Sequence, residues 1–139
     1  MKLSNHFDLH EFEHSGAAVK HGLINKAQQP HIENLKLLVT RILEPARNKL
    51  GCPISVGSGY RSERVNSLPE VGGSPTSYHL QGKAADIWSR NNERLLEILK
   101  KLPCTELIAY RRKATGEIRW IHVAYAEGDR VKIAYSKYL

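Results

Sequence analysis

Ser77-Tyr78-His79-Leu80-Gln81-Gly82-Lys83-Ala84-Ala85-Asp86-Ile87-Trp88 is the stretch on which the fold turns. It begins polar, turns at Gly82, and enters Ala84–Trp88, a short apolar run that reads as a strand. Helical patterns dominate on its N-terminal side. Asp8-Leu9-His10-Glu11-Phe12 suits one short helical turn, and from His31 to Leu50 apolar residues recur at spacings of three and four. That second segment is an amphipathic helix carrying Ile32, Leu35, Leu38, Val39, Ile42, Leu43 and Ala46 on its buried stripe. Pro45 predicts a kink or an early end, and Gly51 a stop. Pro53 to Tyr60 alternates apolar and small polar residues as a short strand does. Residues 62–76, with Pro69, Gly72, Gly73 and Pro75, read as a long loop.

On the C-terminal side, Asn91 or Asn92 caps a helix bearing Leu95, Leu96, Ile98, Leu99 and Leu102, closed by Pro103. Two strands follow, Glu106 to Tyr110 and Ile118 to Tyr125, with Gly116 suited to the hairpin between them. Val131 to Tyr135 is expected to add an edge strand. Helices first and then strands is an α+β pattern, a small antiparallel sheet packed against helices. The length of 139 residues, without repeats or a Ser/Gly-rich linker, predicts a single domain over 1–139.

Composition narrows the class. Hydrophobic residues are 41% and charged residues 25%, ordinary for a globular protein with a core of its own. No segment approaches the roughly 18 apolar residues that span a bilayer. The first fifteen residues lack the apolar stretch of a secretory signal, so the chain is expected to be cytoplasmic as synthesised. The net charge of +7 draws the surface towards polyanions, but the charge is dispersed. Its densest cluster, Arg111 to Lys113, reads as solvated surface in a turn. No specific nucleic-acid partner and no membrane insertion are expected, and a monomer is. Cys52 and Cys104 lack a metal-knuckle spacing; they are free buried thiols or, in an oxidising compartment, a pair.

Chemistry concentrates in the opening stretch. Histidine and carboxylate suit zinc, which favours tetrahedral nitrogen and oxygen coordination. A loop that turns at Gly82 and enters a strand brings His79 and Asp86 towards one point. A catalytic zinc site takes three protein ligands and leaves a position for water. His122 is the best third ligand, because it interrupts the apolar strand Trp120-Ile121-His122-Val123-Ala124-Tyr125. Taken alone, a histidine in a strand is more often a hydrogen-bonded core or surface residue. His6, His10, His14, His21 and His31 lie in a polar N-terminal region and read as solvated surface.

The pattern Ser77-x-His79-x-x-Gly82-x-Ala84-x-Asp86 followed by Trp120-Ile121-His122-Val123 resembles the D-alanyl-D-alanine carboxypeptidase family of zinc peptidases, peptidase family M15. That family also holds phage endolysins that cut the wall peptide. The resemblance extends to Leu3-Ser4-x-His6-Phe7, Ile42-Leu43-Glu44-Pro45, Ser58-Gly59-Tyr60-Arg61-Ser62 and Val71-Gly72-Gly73-Ser74. It implies a Hedgehog/D-Ala-D-Ala-peptidase-like fold with one zinc ion held by His79, Asp86 and His122. It implies a peptidoglycan stem or crosslink peptide as substrate, cut by a carboxypeptidase or an endopeptidase. A phage-type release to the cell wall follows by analogy. Arg61 matches an arginine near the substrate in family members, where its planar fork suits a carboxylate; its alternative is a salt bridge to Glu63 or another surface acid. Ser77 either donates to substrate or fixes the loop.

The chain departs from the family at the general base. Many relatives carry a glutamate three positions before the last histidine, where Arg119 stands here; closer ones end the preceding strand with a glutamate, where Tyr110 stands. A hairpin centred near Ala114 pairs residues summing to about 228, which sets Glu106 opposite His122. Glu106 is therefore the expected base, or else a surface strand residue, with Glu117 as the alternative. Tyr110, on the same face, is expected to stabilise the developing oxyanion. Two rivals follow: a zinc-binding but catalytically inactive structural domain of the same fold, and a nucleic-acid-binding protein suggested by charge alone.

Overall fold

The computed structural model describes residues 1–129 and 134–139. Helix α1 (Leu9–Glu13) starts at Asp8, whose side chain accepts from the His10 amide while Glu11 reaches back to the Asp8 N–H in a capping box. Helix α2 (Gly16–His21) is capped by Ser15. The long amphipathic segment begins as α3 (Gln29–Leu38), with Pro30 in its first turn, and ends as α4 (Glu44–Leu50), stopped by Gly51 in the left-handed region at φ 77°. Between them Val39–Leu43 winds as a π-helix. Pro45 lacks the N–H that would bond the carbonyl of Arg41, and a widened turn absorbs the ring that would otherwise clash there. The expected proline effect is therefore a local unwinding within one continuous rod.

Strand β1 (Ser55–Ser58) follows, then a one-turn helix α5 (Glu63–Asn66), capped by Ser62, inside what the sequence predicts as loop. A 3-10 turn (Tyr78–Gln81) leads through Gly82 into β2 (Ala84–Trp88). Helix α6 (Asn92–Lys100) is capped by Asn91, and β3 (Glu106–Arg111) and β4 (Ile118–Ala124) form the hairpin. The last described strand is β5 (Tyr135–Tyr138); residues 131–133 of the expected edge strand lie outside the described residues.

The sheet order is β1-β2-β4-β3-β5. Every pair is antiparallel except β3 with β5, so the sheet is mainly antiparallel with one parallel edge. Ala85, Ile87, Leu107, Ala109, Ile121 and Val123 are buried and point to one face. They meet Leu35, Leu38, Val39, Ile42 and Leu43 of the helical rod and Leu95 and Leu99 of α6 in one apolar core. Asp86, Trp120, His122, Glu106 and Tyr110 alternate with them and face the other way. The sheet is thus a partition, with grease behind and chemistry in front.

A candidate metal centre

Three elements deliver the three candidate ligands. Asp86 (β2) and His122 (β4) are direct cross-strand partners, so their side chains rise together from neighbouring strands. His79 comes from the 3-10 turn just before β2. Gly82 makes that return possible: it sits at φ 73°, and a Cβ there would lie 2.6 Å from the His31 carbonyl oxygen. One potential ligand atom from each of His79, Asp86 and His122 lies within 4.8 Å of the others. His79 Nε2 is 3.5 Å and His122 Nδ1 3.3 Å from Asp86 Oδ1.

The second nitrogen of each imidazole is already committed. His79 is buried and its Nδ1 donates to the Gly59 carbonyl at 2.7 Å, which leaves Nε2 as the lone-pair nitrogen. His122 Nε2 donates to Glu106 Oε1 at 2.9 Å, which leaves Nδ1 beside Asp86. Backbone carbonyl and carboxylate are the usual outer partners of metal-binding histidines. The donor set, two imidazole nitrogens and a carboxylate oxygen with their outer partners in place, fits a zinc ion.

Electrostatics bind the cluster in the protein alone. Burial pushes the Asp86 carboxyl up, but the neighbouring His122 and His79 imidazoles outweigh it and hold Asp86 well below the usual carboxylate range. Burial pushes His122 down, yet the hydrogen bonds to Asp86 and Glu106 raise it to about 9. Both shifts express mutual attraction across one small volume.

Arg61 is tied into this cluster rather than into Glu63. Its Nη2 donates to Asp86 Oδ2 at 3.2 Å, Nη1 to Asn66 Oδ1 at 3.3 Å, and Nε to Ser58 Oγ at 3.0 Å. All three guanidinium nitrogens have protein partners, and the side chain is only 15% exposed. Arg61 thus holds the carboxylate oxygen that Asp86 turns away from the histidines. Ser77 Oγ accepts from the His79 amide at 3.1 Å and caps the 3-10 turn. Ser77 also lines the cleft in front of the cluster, as do Tyr110 and Glu106. That cleft encloses about 700 Å³.

The expected register is corrected by two residues. Ile108, not Glu106, lies opposite His122, and Glu106 pairs with Ala124. A shift of two keeps every side chain on its face, so Glu106 still reaches His122, diagonally. The cause lies in the longer connection after Arg111 and in a bulge: Tyr110 pairs with Trp120 but Arg111 with Ile118, leaving Arg119 as the extra residue. Arg119 sets its guanidinium 5.8 Å from the centroid of the Trp120 ring and lines a neighbouring groove instead of the cleft. Glu117 is exposed beside Arg112, 3.9 Å away, and does not line the cleft.

Two groups of the site are not among the candidate site residues of the sequence. The Gly59 carbonyl is a backbone atom. Asn66 is a buried polar residue that accepts from Arg61 and donates to the Ser74 carbonyl at 2.9 Å. The glycine pair was the available clue, since a Cβ at Gly73 would lie 1.9 Å from Asn66 Oδ1. The outlying motifs prove structural: Ser4 Oγ, the His6 amide and His6 Nδ1 all bond the Glu44 carboxylate, at 2.5, 2.9 and 2.7 Å.

A largely buried His-Asp-His cluster on the open side of an α+β sheet, with its outer partners in place, is a site that could hold a metal ion. A family model described as Peptidase M15 matches residues 5–124, a span that contains all three candidate ligands, Arg61 and Glu106, and the chain belongs to that family of zinc-dependent peptidases. No curated protein matches the sequence. Among the described residues no helix is long and apolar enough to cross a membrane, and Cys52 and Cys104 are both free and buried, with burial pushing the Cys104 thiol up to about 12.

Proposed function

We propose that the protein is a zinc-dependent peptidase of bacterial cell-wall peptides, cutting a peptidoglycan stem or crosslink as a carboxypeptidase or endopeptidase. The observation that carries this reading is the meeting of His79 Nε2, Asp86 Oδ1 and His122 Nδ1 at the head of an open cleft. These three atoms would hold the zinc ion. When bound, zinc supplies Lewis acidity, polarising a carbonyl and bringing the pKa of a water towards about 7.

The chain's own residues have distinct tasks in this reading. Arg61 fixes Asp86 from behind, and a lysine there would lose the fork that reaches Ser58, Asn66 and Asp86 together. Glu106 holds His122 in the tautomer that leaves Nδ1 bare, and it is the carboxylate nearest the cluster to accept a proton. Burial and the nearby Asp86 charge raise the Tyr110 hydroxyl, so it stays a donor at neutral pH and suits a developing oxyanion. The +7 net charge favours approach to an anionic wall, in keeping with a phage-type lysis role.

Digestion of purified peptidoglycan with the zinc-loaded protein, followed by mass analysis of the fragments, tests the reading and reports the bond. Chelator-sensitive release of peptides is the expected result. One observation favours a second reading, a zinc-stabilised domain without turnover: neither family position for the base carries a glutamate, and Glu106 is already engaged with His122. Zinc that raises the melting temperature while no fragment appears would support it.

A further inference from the structure

The cleft in front of the cluster is lined by two lysine or arginine side chains among the described residues, Arg61 and Lys137. Arg61 has every guanidinium nitrogen engaged by Ser58, Asn66 and Asp86. Lys137 has no ion pair or hydrogen bond from its ammonium among the described residues. It stands on β5, where it is the register partner of Tyr110. Tyr110 in turn pairs with Trp120 and stacks on it, with ring centroids 4.7 Å apart. One row of the sheet therefore runs Trp120, Tyr110, Lys137, an aromatic floor ending in a cation. The next row carries His122 and Asp86.

We propose that Lys137 is a specificity-determining residue that binds a carboxylate of the peptide substrate. This rests on the peptidase reading above and adds the chemical requirement of its substrate. The acidic groups of the cleft, Asp86 and Glu106, face the imidazoles, so an anionic substrate entering it needs a cation that is not already spoken for. An ammonium on a flexible stem meets a carboxylate as a point charge without fixed approach angles. β5 lies two strands from His122, which is about 10 Å at the usual strand spacing. An extended peptide covers that in about three residues, and the reach of a lysine stem shortens it. The carboxylate in question is thus on a residue close to, but distinct from, the one that is cleaved. β5 also lies beyond residues 5–124 of the family match, so this cation belongs to the part of the chain that the family pattern does not describe.

The test uses the zinc-loaded full chain and two synthetic stem peptides, one with free side-chain and terminal carboxylates and one with them amidated. The wild type is expected to prefer the acid peptide about tenfold in kcat/KM, chiefly through KM. Lys137→Gln should bring that ratio close to one, and Lys137→Arg should restore most of it, with zinc content equal in all three proteins. A ratio that survives Lys137→Gln, or an equal loss on both peptides, overturns the proposal. If the wild type cuts neither peptide, the peptidase reading fails, and titration of the same two peptides followed by tryptophan fluorescence in a Trp88→Phe background, which leaves Trp120, still decides the role of Lys137. A binding preference for the acid peptide that Lys137→Gln abolishes upholds it; equal binding of both overturns it.

Discussion

The N-terminal helical region and the open face of the sheet are both rich in histidine, and they use it in opposite ways. In the first, His6 meets Glu44, His10 meets Asp8 and His21 meets Glu70, each with its imidazole 38–79% exposed. His31 stacks on Tyr60 and accepts from the Gln28 amide. The first three each meet one carboxylate with the ring exposed, whereas His31 is half-buried against Tyr60 and not the solvated surface expected of it. At the sheet, His79 on the turn before β2 is 3% and His122 on β4 12% exposed, and both turn towards one carboxylate. Five histidines within the first 31 residues make no candidate centre, whereas two histidines 43 positions apart (122 − 79) do. Local density of ligand-type residues is therefore a poor guide, and convergence of partly dehydrated donors on one point is the better one.

Removing a ligand should break this contrast most severely. His79→Ala or Asp86→Ala is expected to weaken zinc binding by more than about a hundredfold, since loss of an outer partner alone costs about 10–100-fold. His10→Ala and His14→Ala should leave zinc stoichiometry at one. Metal analysis after dialysis checks both, and a second zinc lost with the N-terminal variants would overturn the division.

Glu106→Gln sharpens it next. If the carboxylate serves only to orient His122, zinc affinity falls about 10–100-fold and turnover recovers at saturating zinc. If it takes the proton, kcat stays about a hundredfold down with the metal in place. Competition against a chelator, measured beside kcat, separates the two.

The core behind the sheet should respond in stability instead of chemistry. Leu38→Ala, at a fully buried position, is expected to cost about 2–5 kcal/mol in denaturant unfolding. Gly82→Ala should cost less, about 1–2 kcal/mol for its left-handed backbone, while also displacing His79 because the new Cβ meets the His31 carbonyl. Unaltered zinc affinity in Gly82→Ala would show that the turn does not place the ligand.

The smallest effect is on pH. In the zinc-free protein the raised His122 pKa stabilises the fold fully below about 6.5, and that contribution disappears as pH rises through about 9. The lowered Asp86 pKa acts in the other direction: its contribution is present above the ordinary aspartate range and disappears as pH falls below it. Melting temperature with a chelator present should therefore decline between pH 6.5 and 9. With zinc it should decline less or rise, because the ligand imidazoles must be neutral to bind. Parallel curves with and without zinc would remove the histidines from the site.

Ser77 to Trp88 declared its turn and strand in the sequence, because a glycine and an apolar run are local signals. The amphipathic rod was legible for the same reason, down to the disturbance at Pro45. The hairpin register was not. It depends on the length of the turn and on a bulge at Arg119, and a two-residue error preserves the alternation from which a register is judged. The short helix α5 was hidden among turn-forming residues, and with it Asn66.

The sequence by itself determined which residues can be ligands, that a sheet follows helices, and the family pattern that joins His79, Asp86 and His122. Only the tertiary structure decided which nitrogen each histidine turns towards the shared point, that Arg61 is committed to Asp86, and that Lys137 is uncommitted at the cleft among the described residues. The physical reason is that residue type and spacing are properties of the chain. Hydrogen-bond commitments are settled only when distant segments, here Gly59, Ser58, Asn66 and Glu106, arrive beside the same small volume.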